Sequence, residues 1–294
     1  MRVFFLVILF LFPGMPMYTQ IILDSFDRPT IVGVPQERFS HFDQEYFDRG
    51  NLRMQRGDLE GALADYTKAI ELNPGNLDAM NNRGIARKRM GDLEGAIADF
   101  TRVLELDPER ADACINRGNV KLMQNNLNDA LNDYNQAVLL QPKNAEAYNN
   151  RGNLKFQQQK FMEALLDYNL AIRYERRLAD AYNNRGLARI ALLDSTGAYQ
   201  DFSRAIRLNP RMADAYHNRG RIKIHRQDIP SALADFDKAI DLMPNFDACY
   251  VTRALLHLQL ENKNAACSDL DLAIRLGNRE ATELFLRYCR QGTQ

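Results

Sequence analysis

Small, apolar and charged positions recur along this chain with a period of 34 residues. With Asp43 as position 1, position 8 holds Gly50, Gly84, Gly118, Gly152, Gly186 and Gly220, and Ala254 in the seventh unit. Position 20 is alanine throughout: Ala62, Ala96, Ala130, Ala164, Ala198, Ala232 and Ala266. Position 24 is aromatic in six units (Tyr66, Phe100, Tyr134, Tyr168, Phe202, Phe236) and Leu270 in the last. Proline closes five units, at Pro74, Pro108, Pro142, Pro210 and Pro244, and proline cannot continue a helix. Gly57-Asp58, Gly91-Asp92 and Asn125-Asn126 mark a turn in mid-unit. Each unit is therefore predicted as helix, tight turn, helix. Seven of them tile residues 43–280 without insertion: 43–76, 77–110, 111–144, 145–178, 179–212, 213–246 and 247–280. So strict a period describes stacked supersecondary units rather than one enclosed globule, and it directs the search for function to an extended surface.

Residue size accounts for the invariant positions. Two antiparallel helices that cross closely need almost no side-chain volume at the crossing point. Gly at position 8 and Ala at position 20 supply that, and the aromatic at position 24 fills the wedge beside them. Position 7 is always Arg and position 23 always Asp, from Arg49 and Asp65 to Arg253 and Asp269. In an antiparallel pair registered by positions 8 and 20, these two sit at nearly the same depth. The expectation is a bidentate ion pair that locks the register of each unit, not a basic stripe for phosphate.

Small residues at positions 8 and 20, an aromatic at 24, Ala at 27 and Pro at 32, on this period, resemble the tetratricopeptide repeat, and the likeness spans about four fifths of the chain. The resemblance implies an all-α fold: a right-handed superhelical solenoid of seven helix-turn-helix repeats with a C-terminal capping helix. The chain departs from the family at position 4, where Met80 and Cys114 replace the Tyr of the other five units. It departs again at position 7, with Arg in place of Leu, and at position 11, with Arg or Lys in six units.

The same resemblance implies that one side of each first helix lines a concave groove. With position 4 toward the core, positions 2, 6, 9 and 13 lie on that side. Position 6 is Asn82, Asn116, Asn150, Asn184 and Asn218, and Asn119 and Asn153 add to the row from position 9. An amide both donates and accepts, so a row of them can pair with an extended peptide backbone. Ile85, Met123 and Leu187 are the apolar anchors on this stripe. Position 2 is acidic, with Asp112, Glu146 and Asp180 among its residues, which favours a basic peptide. The row resembles the asparagine ladder of tetratricopeptide domains in certain sugar transferases. It does not resemble the basic clamp that co-chaperones of the family use for C-terminal carboxylates.

Charge and flanking segments narrow the function further. The chain carries 38 basic and 38 acidic residues, so no net field attracts a nucleic acid, and none is expected as partner. Arg2 precedes an apolar run, Val3 to Phe12, too short to span a bilayer, which needs about 20 residues. Residues 1–19 read as a secretory signal peptide, cleaved near Thr19-Gln20. Export to a bacterial periplasm or medium follows; the alternative is an uncleaved N-terminal membrane anchor, the one case in which a membrane would be a partner. Residues 20–42 read as an extended lead-in, with Ser40 the N-cap of the first helix. Residues 281–294 read as the capping helix, with Leu284 and Tyr288 on one side. Of Cys114, Cys249, Cys267 and Cys289, the pair Cys267–Cys289 is the better candidate for a disulfide, but Cys289 is expected to point away and all four to be small fillers. His217, Arg221 and His225 line one helix at i, i+4 and i+8 and are expected as a solvated strip. No catalytic motif occurs, and neither enzyme activity nor a cofactor or metal is expected. Two readings remain: an exported adaptor that binds an extended peptide in its groove, or a structural scaffold subunit of an envelope complex that assembles through its ends or convex surface.

Overall fold

The computed structural model describes residues 20–23, 29–32 and 36–289, and the leader expected at residues 1–19 lies outside them. Strands β1 (Gln20–Leu23) and β2 (Pro29–Val32) pair antiparallel with Gln20 opposite Val32. Helix α1 then runs from Gln36 to Arg56. The extended lead-in is thus a hairpin followed by helix, and Ser40 lies inside α1 rather than at its N-cap. Pro35 is the last breaker before Gln36, so nothing delays the helix until position 1 of the repeat.

From α1 onward the described residues form helices joined by short turns, in two compact units, residues 1–124 and 125–294. The first unit contains α1, α2 (Leu59–Leu72), α3 (Leu77–Met90), α4 (Leu93–Leu106) and α5 (Ala111–Met123). The second contains α6 (Leu127–Leu140), α7 (Ala145–Gln157), α8 (Phe161–Tyr174), α9 (Ala179–Ala191) and α10 (Ser195–Leu208). It continues with α11 (Ala213–His225), α12 (Ile229–Leu242), α13 (Asp247–Gln259), α14 (Lys263–Arg275) and α15 (Arg279–Tyr288). Second helices begin at Leu59, Leu93, Leu127, Phe161, Ser195, Ile229 and Lys263, each 34 residues after the last. Most have an Asp or Asn cap one residue earlier. Asp58, for example, accepts the Gly61 N–H, so an otherwise unpaired helical donor is satisfied.

In five of the pairs the crossing is as tight as the small residues imply. A Cβ at Gly50 would lie 2.7 Å from the Tyr66 ring, and one at Gly186 would lie 2.6 Å from that of Phe202. The seventh unit solves the same problem differently. Ala254 stands where the others have glycine, and buried Leu270 replaces the ring that its methyl group would strike.

The expected ion pairs are made. Arg49, Arg83, Arg151, Arg185, Arg219 and Arg253 each grip the aspartate sixteen residues on through Nε and Nη2. The Nη2–Oδ1 distances are 2.5–2.7 Å. A second cation from position 11, unanticipated in this role, meets the same carboxylate: Arg53, Arg87, Lys155, Arg189 and Lys223, at 2.8–2.9 Å. These aspartates are almost wholly buried, so each carboxylate must be held by charge-assisted bonds or it would oppose folding.

Helix α15 caps the last pair, with Leu284 and Phe285 packed against a cluster that includes Tyr250, Leu270 and Ala281. Cys267 and Cys289 form a disulfide with Cα atoms 5.6 Å apart, which corrects the expectation of four filler cysteines. Cys289 follows the last turn of α15, and the cap lies so that Cys289 faces the same cluster rather than away from it. Cys114 and Cys249 are buried free thiols.

Candidate functional site

The asparagine row comes from the first helices, where backbone geometry sets positions 5 and 6 side by side. Stacking brings position 6 of one repeat against position 5 of the repeat before it, 35 residues earlier. Asn116 Nδ2 donates to Asn81 Oδ1 at 3.1 Å, Asn184 to Asn149 at 3.1 Å, and Asn218 to Asn183 at 3.2 Å. Asn183 in turn donates to Asn184, and Asn149 to Asn150, both at 3.4 Å. In the second unit this makes one chain of amides: Asn218, Asn183, Asn184, Asn149, Asn150. The position-5 members are buried and the position-6 members half-buried. Asn82 donates instead to Asn51 Oδ1, at position 9 of the first repeat. The row is therefore braced from beneath. Asn82, Asn116, Asn184 and Asn218 each give one N–H to the preceding repeat, out of the two N–H groups and two carbonyl lone pairs that a side-chain amide carries.

His217 occupies position 5 in the sixth repeat and continues this pattern, with Nε2 3.2 Å from Thr252 Oγ1 at position 6 of the seventh. It is buried, with ring centroids 5.9 Å from Phe236 and 4.9 Å from Phe246. The solvated strip is corrected accordingly: Arg221 and His225 are exposed, and His217 is core. Burial, with the Arg221 charge nearby, pulls its pKa down to about 4.

Position 9 follows position 24. Tyr66 and Tyr168 donate their hydroxyls to Asn51 and Asn153 at 2.8 and 2.9 Å. Where position 24 is Phe100 or Phe202, position 9 is Ile85 or Leu187, half-buried against that ring's cluster. Asn119 is half-buried on α5. Met123 is 59% exposed at the end of the same helix. Of the acidic row, Asp112 is drawn to Arg110, which also reaches Asp78, and that guanidinium holds the Asp112 carboxyl below its ordinary range. Glu146 and Asp180 are exposed.

In the second unit stripe residues enclose a cavity. Leu187 and Ile190 of α9 and Asn218, Arg221 and His225 of α11 surround about 60 Å³, floored by Phe202 and Ile222. Leu187 and Asn218 were legible as stripe residues. Arg221 and His225 also lie at groove positions, 9 and 13, where their polar ends conceal in the sequence the apolar space between them. Among the described residues, no group of three or more His, Cys, Asp or Glu side chains is placed to hold a metal ion.

Known proteins carry the same fold. A family model described as TPR repeat matches residues 50–91 and 118–159, and models described as tetratricopeptide repeat match 77–110 and 183–245. Comparison with curated protein sequences finds no match. Among solved structures, a tetratricopeptide repeat protein from Parabacteroides merdae is similar at 23% identity and a TM-score of 0.64, covering 84% of this chain and 98% of its own. Pseudomonas aeruginosa pilF is similar at 21% identity and a TM-score of 0.65, covering 72% and 97%. The APC/C hetero-tetramer Cut9–Hcn1 gives a TM-score of 0.70 at 16% identity, over 78% of this chain and 48% of that one. Sequence models that between them cover more than half of the chain, and structures of the same fold, agree with the helix pairs and their packing: the chain belongs to the tetratricopeptide repeat family, whose members act through protein–protein interaction.

Proposed function

We propose that this protein is an exported adaptor that holds an extended segment of a partner protein along the first helices α7, α9 and α11. The observation that carries the reading is the cavity between α9 and α11. An aliphatic side chain enters between Leu187 and Ile190, while the Asn218 amide and its neighbours in the row bond the partner's backbone. Glu146 and Asp180, exposed on the same stripe, favour a basic residue beside the apolar anchor. Three amide bonds, from Asn150, Asn184 and Asn218, at ~1 kcal/mol each do not offset an association cost of ~4–15 kcal/mol. Side-chain burial in the cavity therefore decides affinity.

Export rests on the charged and apolar start of the chain together with the Cys267–Cys289 disulfide, a bond that persists in oxidising compartments.

Selection from a displayed library of random peptides tests the binding reading. Selected peptides should share an aliphatic residue near a Lys or Arg. Ile190→Asp should reduce their affinity at least tenfold with the melting temperature held within a few degrees, because Ile190 is partly exposed at the cavity. Asn150→Ala with Asn184→Ala should weaken binding comparably, at a modest cost in stability from the lost amide chain. Unchanged affinity in folded Ile190→Asp, or concentration-dependent self-association of the native protein in place of peptide binding, would move the function to a scaffold that assembles through other surfaces.

A further inference from the structure

The arginine at position 7 does more than grip its own repeat. Its remaining nitrogen, Nη1, reaches back to position 25 of the preceding repeat. Arg83 donates to Thr67 at 3.4 Å, Arg117 to Thr101 at 3.2 Å, Arg151 to Asn135 at 3.0 Å and Arg185 to Asn169 at 2.9 Å. Arg253 donates to the carboxylate of Asp237. One described junction breaks the rule. Position 25 before Arg219 is Ser203, and among the described residues no acceptor is recorded for Arg219 Nη1.

A cavity of about 420 Å³ opens at this place, lined by Tyr199, Gln200, Ser203, Ile206 and Arg207 of α10 and by Arg219 of α11. That volume falls within the roughly 300–1,000 Å³ of ligand-holding clefts. Its lining has two guanidinium groups, two hydroxyls and an amide, and no carboxylate. Asp235, which pairs with Arg219, also receives Lys223 at 2.8 Å, so the charge of this cluster is not cancelled. Arg226 stacks on the Tyr199 ring, 4.2 Å from its centroid, and adds a further cation at the rim. The surrounding stretch is basic in a chain that is neutral as a whole: residues 173–227 hold twelve Arg and Lys against five Asp and Glu. The cavity shares no lining residue with the one on the asparagine stripe.

We propose that this cavity is a second binding site, which takes the carboxylate of an acidic side chain from a partner protein onto Arg219 and Arg207. The next junction indicates the ligand. Where the chain supplies Asp237, Arg253 Nη1 is satisfied from within; where it supplies Ser203, the same nitrogen is open to a carboxylate from outside, and Arg207 stands beside it. A planar guanidinium pairs with a carboxylate through parallel N–H bonds, which makes the contact specific as well as charged.

The test uses the full chain and a hexaglutamate peptide, with hexaglutamine as control, followed by calorimetry at low salt. Hexaglutamate should bind and hexaglutamine should not. Ser203→Asp should abolish or weaken hexaglutamate binding at least tenfold while leaving the melting temperature equal or higher, because it installs the internal carboxylate of the Arg253 junction. Arg207→Gln, an exposed position, should weaken binding without unfolding the protein. Equal binding by wild type and folded Ser203→Asp would overturn the site. Displacement of the peptide by millimolar inorganic phosphate, with no displacement by acetate, would overturn the carboxylate as its ligand.

Discussion

The pairing of glycine with an aromatic ring inside each repeat can be tested quantitatively at Gly186 and Phe202. A methyl group added at Gly186 lies 2.6 Å from Cε1 and 2.9 Å from Cδ1 of the ring, whereas carbon atoms at rest stand ~3.5–4.0 Å apart. The ring or the helix must retreat by about 1 Å in a fully buried position, at a cost of ~1–3 kcal/mol. Alanine in a helix interior recovers ~1 kcal/mol over glycine, so Gly186→Ala alone should destabilise by ~0–2 kcal/mol. Phe202→Leu alone should cost ~1–2 kcal/mol, less than the ~3–5 kcal/mol of truncation to alanine. Together they reproduce the Ala254–Leu270 arrangement of the seventh repeat, in which a branched chain leaves room for the methyl. The clash then disappears and the helix gain remains. The double variant should therefore be no less stable than Phe202→Leu, with a favourable coupling of ~1–3 kcal/mol. Urea unfolding of the four proteins, followed by circular dichroism, gives the cycle. Because repeat arrays can open in parts, hydrogen exchange of α9 and α10 amides should be read alongside. Effects that add within ~0.5 kcal/mol would refute the steric argument.

Three further outcomes are expected. Asp167→Asn should cost ~3–5 kcal/mol, seen as a lower urea midpoint, because Arg151 and Lys155 both converge on that buried carboxylate; loss of partner binding with unchanged stability would contradict the register-locking role. Reduction, or Cys267→Ser, should remove ~3 kcal/mol through the bridge that closes residues 267–289, shown as a lower melting temperature with dithiothreitol and as faster exchange in α15; identical melting curves in oxidised and reduced protein would contradict it. His217 has a folded-state pKa below its unfolded value, so the unfolded chain binds the extra proton, and its contribution is present above pH ~6.5 and lost as pH falls towards about 4. His217→Asn, the residue that Asn183 and Asn149 place at this position, should flatten the wild-type loss of stability between those limits when melts are compared across pH.

How much of this was legible in the sequence depends on what a period can encode. Positions 8, 20 and 24 obey sterics within one repeat, so their identities alone disclosed the crossing. Positions 7 and 23 likewise met at the depth that antiparallel register requires. Contacts between repeats were harder. Measured from position 4, position 6 lies opposite the core, which by itself leaves the row of asparagines facing a ligand. In fact the neighbour of Asn184 is Asn149, 35 residues back, and the angle of one helix does not disclose how successive helices stack. The disulfide was hidden for a related reason. The depth rule applies inside a repeat, and Cys289 belongs to a cap whose direction no repeat constrains.

Pairs of columns contain what single columns do not. Asn51 and Asn153 accompany Tyr66 and Tyr168, while Ile85 and Leu187 accompany Phe100 and Phe202, because a buried hydroxyl requires an acceptor and a bare ring requires none. Much of the apparent binding row at position 9 is therefore an answer to position 24. The converse also holds. Where a column changes and its partner does not, the repeat is left with an unmet need. Arg219 remains arginine although Ser203 does not bond it, and a cavity opens at that junction. In an array whose regular positions are occupied with stacking, such breaks in the pattern are where surface chemistry becomes available to another molecule. Ser203→Asp should repair the break, and a partner that depends on the cavity should be lost as the array becomes more regular.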